Sequence, residues 1–189
     1  MARGRLQGQR IAFVVANEGV EQVELSEPWK AVQEAGGEPE LIAPKTGKVQ
    51  AMHHLDHGDA FEATTATADA SPDRFDAVVL PGGVANPDQL RTDQAAVSFV
   101  RSMFERGKPA AVICHGPWTL VEADLVRGRT LTSWPSLRTD IRNAGGTWVD
   151  EEVVTCEGGP NVLVTSRKPD DLPAFCRQAV EVFSRVRVR

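Results

Sequence analysis

Pro109-Ala-Ala-Val-Ile-Cys-His-Gly-Pro117 is the stretch from which the rest of the chain can be read. Its apolar run, residues 110–113, has no polar interruption, the pattern of a strand buried on both faces. Gly116 and Pro117 then punctuate it, and a proline at a first helical position opens a helix. That helix is expected to reach about Val126, with Gly128 closing it. A strand that passes at once into a helix is the repeating unit of parallel sheets.

Working outward, the same alternation recurs. Phe75-Asp-Ala-Val-Val-Leu80 is a second buried run, closed by Pro81-Gly82-Gly83. Residues 11–16 and 40–43 are two more. Residues 21–35 read as a helix that Pro28 kinks or restarts and Gly36-Gly37 stops. Residues 87–106 read as one helix, with Asn86 as N-cap, Pro87 at its first position and Gly107 at its end. Further helices are expected over 135–144 and from Pro169 to about Val186, and strands over 147–149, 153–156 and 162–165. Residues 45–70 lack helical periodicity and read as a loop-rich excursion with short strands, including 62–67. The expectation is an α/β domain with a mostly parallel sheet covered on both faces. Residues 1–9 are expected to form an N-terminal extension, and 10–189 a single domain.

Bulk composition excludes several function classes. The 189 residues, 41% hydrophobic and 25% charged, suit one soluble domain. A formal net charge of −5 gives no footprint for nucleic acid or an anionic membrane. No apolar run approaches the roughly 20 residues of a membrane helix. Three arginines stand in residues 1–10, but only the short run 11–16 follows, so no signal peptide is expected. The three cysteines, Cys114, Cys156 and Cys176, are odd in number and widely spaced. Free thiols and a cytoplasmic location are therefore expected.

Cys114 stands on the turn between strand and helix, where ligands bind in such sheets. A helix N-terminus favours thiolate over thiol. The turn resembles a hydrolase nucleophile elbow, although Val112 replaces the first glycine of that motif. A strand-end cysteine that simply packs as a small hydrophobe is the competing reading. No histidine follows His115, which excludes papain-like and glutamine-amidotransferase orders. The side chain of His115 is expected not to hydrogen-bond the adjacent thiol easily, since neighbours on a turn point apart, but to orient in the pocket or to leave the backbone N–H to an oxyanion. Leu80-Pro-Gly-Gly83 exposes N–H groups fit for an oxyanion, or is merely a tight turn. The acidic segment Asn17-Glu18-Gly-Val-Glu21-Gln-Val-Glu24-Leu25 leaves a neighbouring strand. A carboxyl there would be protonated by burial and able to donate to a thiolate. Alternatively these glutamates serve only a helix N-terminus.

Taken in order, several segments resemble the PfpI branch of the ThiJ/PfpI superfamily, related to the parkinsonism-associated protein deglycase. They are Ala16-Asn-Glu18 with Glu21 and Val23-Glu-Leu25, Phe75 through Gly83, Gly107-Lys-Pro109 and Ile113-Cys-His-Gly-Pro117. Leu125-Val-Arg-Gly-Arg129, Asn143-Ala-Gly145 with Trp148-Val-Asp150, Val164-Thr-Ser-Arg167 and Pro169-Asp-Asp-Leu172 continue the pattern. The resemblance spans about residues 9–186. It implies a flavodoxin-like three-layer sandwich and no cofactor. It implies Cys114 as nucleophile with His115 beside it, and Glu21 as the acidic partner of the cysteine, with Glu18 a lesser candidate. Oxyanion contacts fall on the backbones of Gly83 and His115. Asp88 matches the acid that a neighbouring subunit contributes in oligomeric PfpI-type proteases, and a homo-oligomer, at least a dimer, is implied.

These readings lead to a stress-response enzyme acting on small reactive carbonyls or glycated protein and peptide groups. Two rivals stand beside it: an intracellular cysteine peptidase, and a non-enzymatic redox sensor or chaperone working through oxidation of Cys114. One segment departs from the family pattern. Met52-His53-His54-Leu-Asp-His57-Gly-Asp59 is long and histidine-rich, and is expected to be a solvated or pocket-rim loop rather than a metal site. Trp118 is expected either to wall the pocket or to join the core. Cys156 and Cys176 are expected to be structural and buried.

Overall fold

A computed structural model describes residues 4–186 of the chain. The described elements are β1 (Arg10–Val14), β2 (Glu18–Glu21), α1 (Gln22–Glu34), β3 (Glu38–Ala43), β4 (Gly47–His53) and β5 (Asp56–Ala63). They continue with β6 (Thr65–Ala66), β7 (Ala77–Leu80), α2 (Ala85–Leu90), α3 (Gln94–Glu105), β8 (Ala110–Ile113) and α4 (Pro117–Glu122). The last are β9 (Thr130–Leu131), α5 (Arg138–Asn143), β10 (Thr147–Trp148), β11 (Val153–Cys156), β12 (Leu163–Ser166) and α6 (Leu172–Phe183).

The central sheet has seven strands in the order β11-β12-β8-β7-β1-β3-β6. Every pairing is parallel except β11 with β12 at one edge. Alternation along β1 shows why both faces are covered. Ile11 and Phe13 pack with Leu25 and Val32 of α1 and Phe175 and Phe183 of α6. Ala12 and Val14 face the opposite cluster, with Phe99 and Phe104 of α3, Leu120 of α4 and Ile141 of α5. Strands buried on both sides must be apolar at every position, and β7 and β8 are. The result is the three-layer sandwich that the sequence led us to expect.

Four differences from the sequence reading have physical causes. The region read as a loop-rich excursion is an antiparallel hairpin, β4 with β5, whose register shifts between Gln50 and Met52, and β2 joins β4 to make a second, three-stranded sheet. Its polar strands conceal it from a hydrophobicity reading. The helix expected over 87–106 is two helices, broken at 91–93, where Asp93 caps α3 by accepting from the Ala96 N–H at 2.7 Å. Asn86, read as an N-cap, is instead buried: its side chain accepts from Ala16 N–H and donates to the carbonyls of Pro81 and Gly82. Helix α1 runs through Pro28 as one element. Residues 4–9 also pack on the domain, with Leu6 in the core and Gln9 Nε2 donating to Phe183 O at 3.0 Å.

Among the described residues no helix is long and apolar enough to cross a membrane.

Candidate active site

Three chain segments leave the carboxyl ends of β1, β7 and β8 and meet around Cys114. The residue has φ of 62°, a left-handed conformation costly for a side chain bearing Cβ. That strain comes with the turn: Gly116 N–H donates to Ile113 O at 2.9 Å, and α4 starts at once at Pro117. The Cys114 backbone is held on both sides, donating its N–H to Ser166 O and accepting from Trp134 N–H. The sulfur is thereby raised above the sheet edge while Cys114 stays only 5% exposed. Strain of this kind persists where the surroundings over-determine it, and it clusters at functional sites.

The carboxyl beside the thiol belongs to Glu24. It is fully buried in the first turn of α1, and its Oε2 accepts the Gly82 N–H at 2.9 Å. Its other oxygen, Oε1, is buried with no hydrogen-bond partner among the described residues. Burial is the largest influence on this carboxyl, and a hydrogen bond with the Cys114 thiol, which lowers it, is the next. Burial pushes this carboxyl up to about 8, with the charge of Glu21 adding to the rise, so it holds a proton at neutral pH.

Glu21, the residue implied by resemblance, lines the same cavity from a different position. It ends β2, and its carboxylate Oε2 accepts the His54 N–H at 3.0 Å, tying down the β4–β5 hairpin tip. Glu21 is therefore placed on the hairpin and Glu24 on the sulfur. Three residues, nearly one helical turn, separate the two, and the register of α1 against the sheet decides which reaches inward. Glu18 is exposed and lies 4.0 Å from His57 Nε2.

The thiol does not have the ordinary helix-terminus environment expected of it. Burial first, then the charge of Glu24, push the Cys114 thiol up. The backbone N–H groups of Gly83 and His115 hydrogen-bond the sulfur and pull the other way. Helix α4, six residues long, is too short to dominate. With Glu24 protonated its repulsion vanishes, leaving two N–H donors and one carboxyl around the sulfur. The two glycines make that approach possible. A Cβ on Gly82 would stand 2.6 Å from Cys114 Cβ, and one on Gly83, where φ is 83°, 2.7 Å from Glu21 N.

His115 also departs from expectation. Its Nδ1 lies 3.2 Å from Cys114 Sγ, because the left-handed backbone at Cys114 brings the two side chains to one side. Nε2 lies 3.5 Å from Ser136 Oγ. The ring is stacked on Trp134 and edge-on to Trp118. Burial lowers it to about 4, so the imidazole is neutral at physiological pH. Trp134 was missed from sequence and is the aromatic wall of the cavity. Trp118 sits behind His115, its Nε1 donating to Asp140 at 2.9 Å. Only the chain's path after β9 brings Trp134 to Cys114, and no local signal announces it.

The cavity holds about 160 Å³ and is lined by Cys114, His115, Glu24, Glu21, Gly83 and Trp134, with His54, Leu55, Val84 and Pro169 at its rim. Asp88 lies exposed on α2 and does not line it. His53, His54 and His57 occupy the hairpin tip, and no metal-binding group of three or more His, Cys, Asp or Glu side chains forms among the described residues. Cys156 is buried, whereas Cys176 is only partly so. Such a site can attack a carbonyl carbon through sulfur, hold the resulting oxyanion and supply a proton.

The chain is similar to known proteins over most of its length. A family model described as the DJ-1/PfpI family matches residues 9–182. The chain is 40% identical over 173 residues to "Deglycase PfpI" of Pyrococcus furiosus, covering 92% of this chain and 98% of that protein. It is 40% identical over 179 residues to "General stress protein 18" of Bacillus subtilis, covering 94% and 99%. The crystal structure of Drosophila melanogaster DJ-1beta superposes with a TM-score of 0.80 at 26% identity, covering 93% of this chain and 91% of that one.

Proposed function

The chain belongs to the DJ-1/PfpI family, and from that premise we propose that it is a stress-response, cysteine-dependent enzyme acting on reactive carbonyls or glycated groups. The observation that carries the reading is the convergence of Cys114 sulfur, the protonated Glu24 carboxyl and the Gly83 and His115 N–H groups on one small cavity. The relatives named deglycase and general stress protein support the substrate class.

In the proposed reaction the sulfur lone pair forms a bond to the carbonyl carbon, and the C=O electron pair moves onto oxygen. Gly83 and His115 N–H groups hold that oxygen. Glu24 delivers its proton to it, and the resulting carboxylate takes up the thiol proton, so the pair ends with the charge it began with. For an α-oxoaldehyde the product is a hemithioacetal. The Glu24 carboxyl then takes the carbon-bound proton on one oxygen while giving its own proton from the other to the neighbouring carbonyl oxygen, forming an enediol. The reverse exchange, with a proton delivered to the neighbouring carbon and the hydroxyl proton taken back, gives a thioester, and water releases a 2-hydroxy acid. No external oxidant is needed. Glu21 becomes a positioning residue, acting through the hairpin tip. The test is the disappearance of methylglyoxal with formation of lactate: it requires Cys114, and full turnover by Cys114→Ala would falsify the mechanism.

The contact between Cys114 Sγ and His115 Nδ1 favours a second reading, a cysteine peptidase. It needs an acid to orient His115, and the exposed Asp88 of a second copy is the candidate. Under that reading peptide hydrolysis requires a homo-oligomer and is lost in Asp88→Asn. For either activity we place the protein in the cytoplasm, where its three free thiols remain reduced.

A further inference from the structure

The mouth of the Cys114 cavity carries apolar surface that the carbonyl chemistry does not use. Among the described residues three large hydrophobic side chains are exposed: Leu55 at 91%, Val84 at 57% and Trp134 at 39%. All three line this one cavity. They come from unrelated parts of the chain: the β4–β5 hairpin tip, the residue before α2, and the segment after β9. Single exposed apolar residues need no explanation, but their convergence around a nucleophile does.

The polar lining is selective in the other direction. No lysine or arginine lines the cavity. The Glu21 and Glu24 carboxyls do, and His115 is neutral. An anionic substrate would meet carboxyl groups and no cation to pair with. The volume of about 160 Å³ corresponds to about five water molecules at ~30 Å³ each. Because the same small cavity is lined by Cys114 and by all three exposed side chains, a carbonyl head held at the sulfur leaves its substituent against Leu55, Val84 or Trp134.

We propose that the preferred substrates are uncharged α-oxoaldehydes bearing an apolar or aromatic substituent, with Leu55, Val84 and Trp134 as the residues that select them. The inference rests on the reading of Cys114 as a carbonyl-directed nucleophile and deepens it. The substituent covers the three side chains, removing their apolar surface from water as the carbonyl reaches the sulfur.

The test measures kcat/KM for glyoxal, methylglyoxal, phenylglyoxal and the anion glyoxylate on the full chain. The expected order is phenylglyoxal above methylglyoxal above glyoxal, with at least tenfold between the ends and glyoxylate below all three. In the double variant Leu55→Ser/Val84→Ser the phenylglyoxal-to-glyoxal ratio falls at least fivefold. Both positions are exposed, so the variant keeps its core, and circular dichroism checks that it does. Light scattering on the same samples reports whether the patch is buried by a second copy instead. An unchanged ratio in the variant overturns the inference, and so does an unchanged ratio accompanied by a drop in oligomeric mass. A wild-type enzyme that turns over glyoxal and methylglyoxal with no substituent preference overturns this inference alone. A wild-type enzyme inert to every dicarbonyl overturns the carbonyl reading with it.

Discussion

Cys114 and Glu24 titrate as a coupled pair: burial raises both, the charge of Glu24 raises the thiol further, and the hydrogen bond from the thiol lowers the carboxyl. Glu24→Gln keeps the volume and a donor but cannot exchange a proton. It is expected to lower methylglyoxal kcat by about 10²- to 10⁴-fold, measured as lactate formed. Glu21→Gln, acting only through the hairpin tip, should cost less than about tenfold. Activity that depends on a protonated Glu24 declines as pH rises through about 8, and this alkaline limb of the kcat/KM profile should disappear in Glu24→Gln. At this scale the sequence was informative about residue type and ambiguous about residue identity. Glu18, Glu21 and Glu24 recur every three residues, and all stand at or before a helix start. Only the rotation of α1 against the sheet tells which carboxylate faces the sulfur.

The elements that carry the site are pinned by few side chains. Asn86 ties the end of β1 to the Pro81-Gly82 turn with three hydrogen bonds from a buried position. Asn86→Ala leaves those backbone groups unpaired and is expected to cost on the order of 3 kcal/mol, read as a lower urea midpoint. The same change should weaken turnover, because Gly83 follows directly. Asp93 caps α3 and also accepts from Thr67 Oγ1 at 3.1 Å. Asp93→Ala is expected to cost about 1 kcal/mol without affecting turnover. Strands β7 and β8 were plain in the sequence because each is apolar throughout. The β4–β5 hairpin was not, because five of the eight residues of β5 are exposed and its pairing rests on backbone hydrogen bonds that leave no hydrophobic pattern.

For the molecule as a whole, Glu24 and His115 leave opposite marks on stability. Burial lowers His115 from 6.5 to about 4, so its contribution grows as pH rises to about 6.5 and is constant beyond. Burial raises Glu24 from 4.5 to about 8, so the folded state holds a proton that the unfolded chain has lost. Between about pH 6.5 and 8 stability should therefore fall by up to ~1.4 kcal/mol per pH unit. Urea midpoints at the two ends check this, and Glu24→Gln should flatten the slope. The sequence by itself determined the sandwich, since uninterrupted apolar strands alternating with helices have to be covered on both faces, and it determined that Cys114 stands on the turn above the sheet. Tertiary structure alone decided that Glu24 rather than Glu21 meets the sulfur, that His115 turns toward it, and that Trp134, Leu55 and Val84 wall the cavity. For His115 the physical reason is the left-handed backbone at Cys114, and for the others it is distance along the chain. Local pattern sets which face of a strand or helix is apolar, whereas contacts between residues 20 to 90 positions apart depend on how those elements rotate and pack.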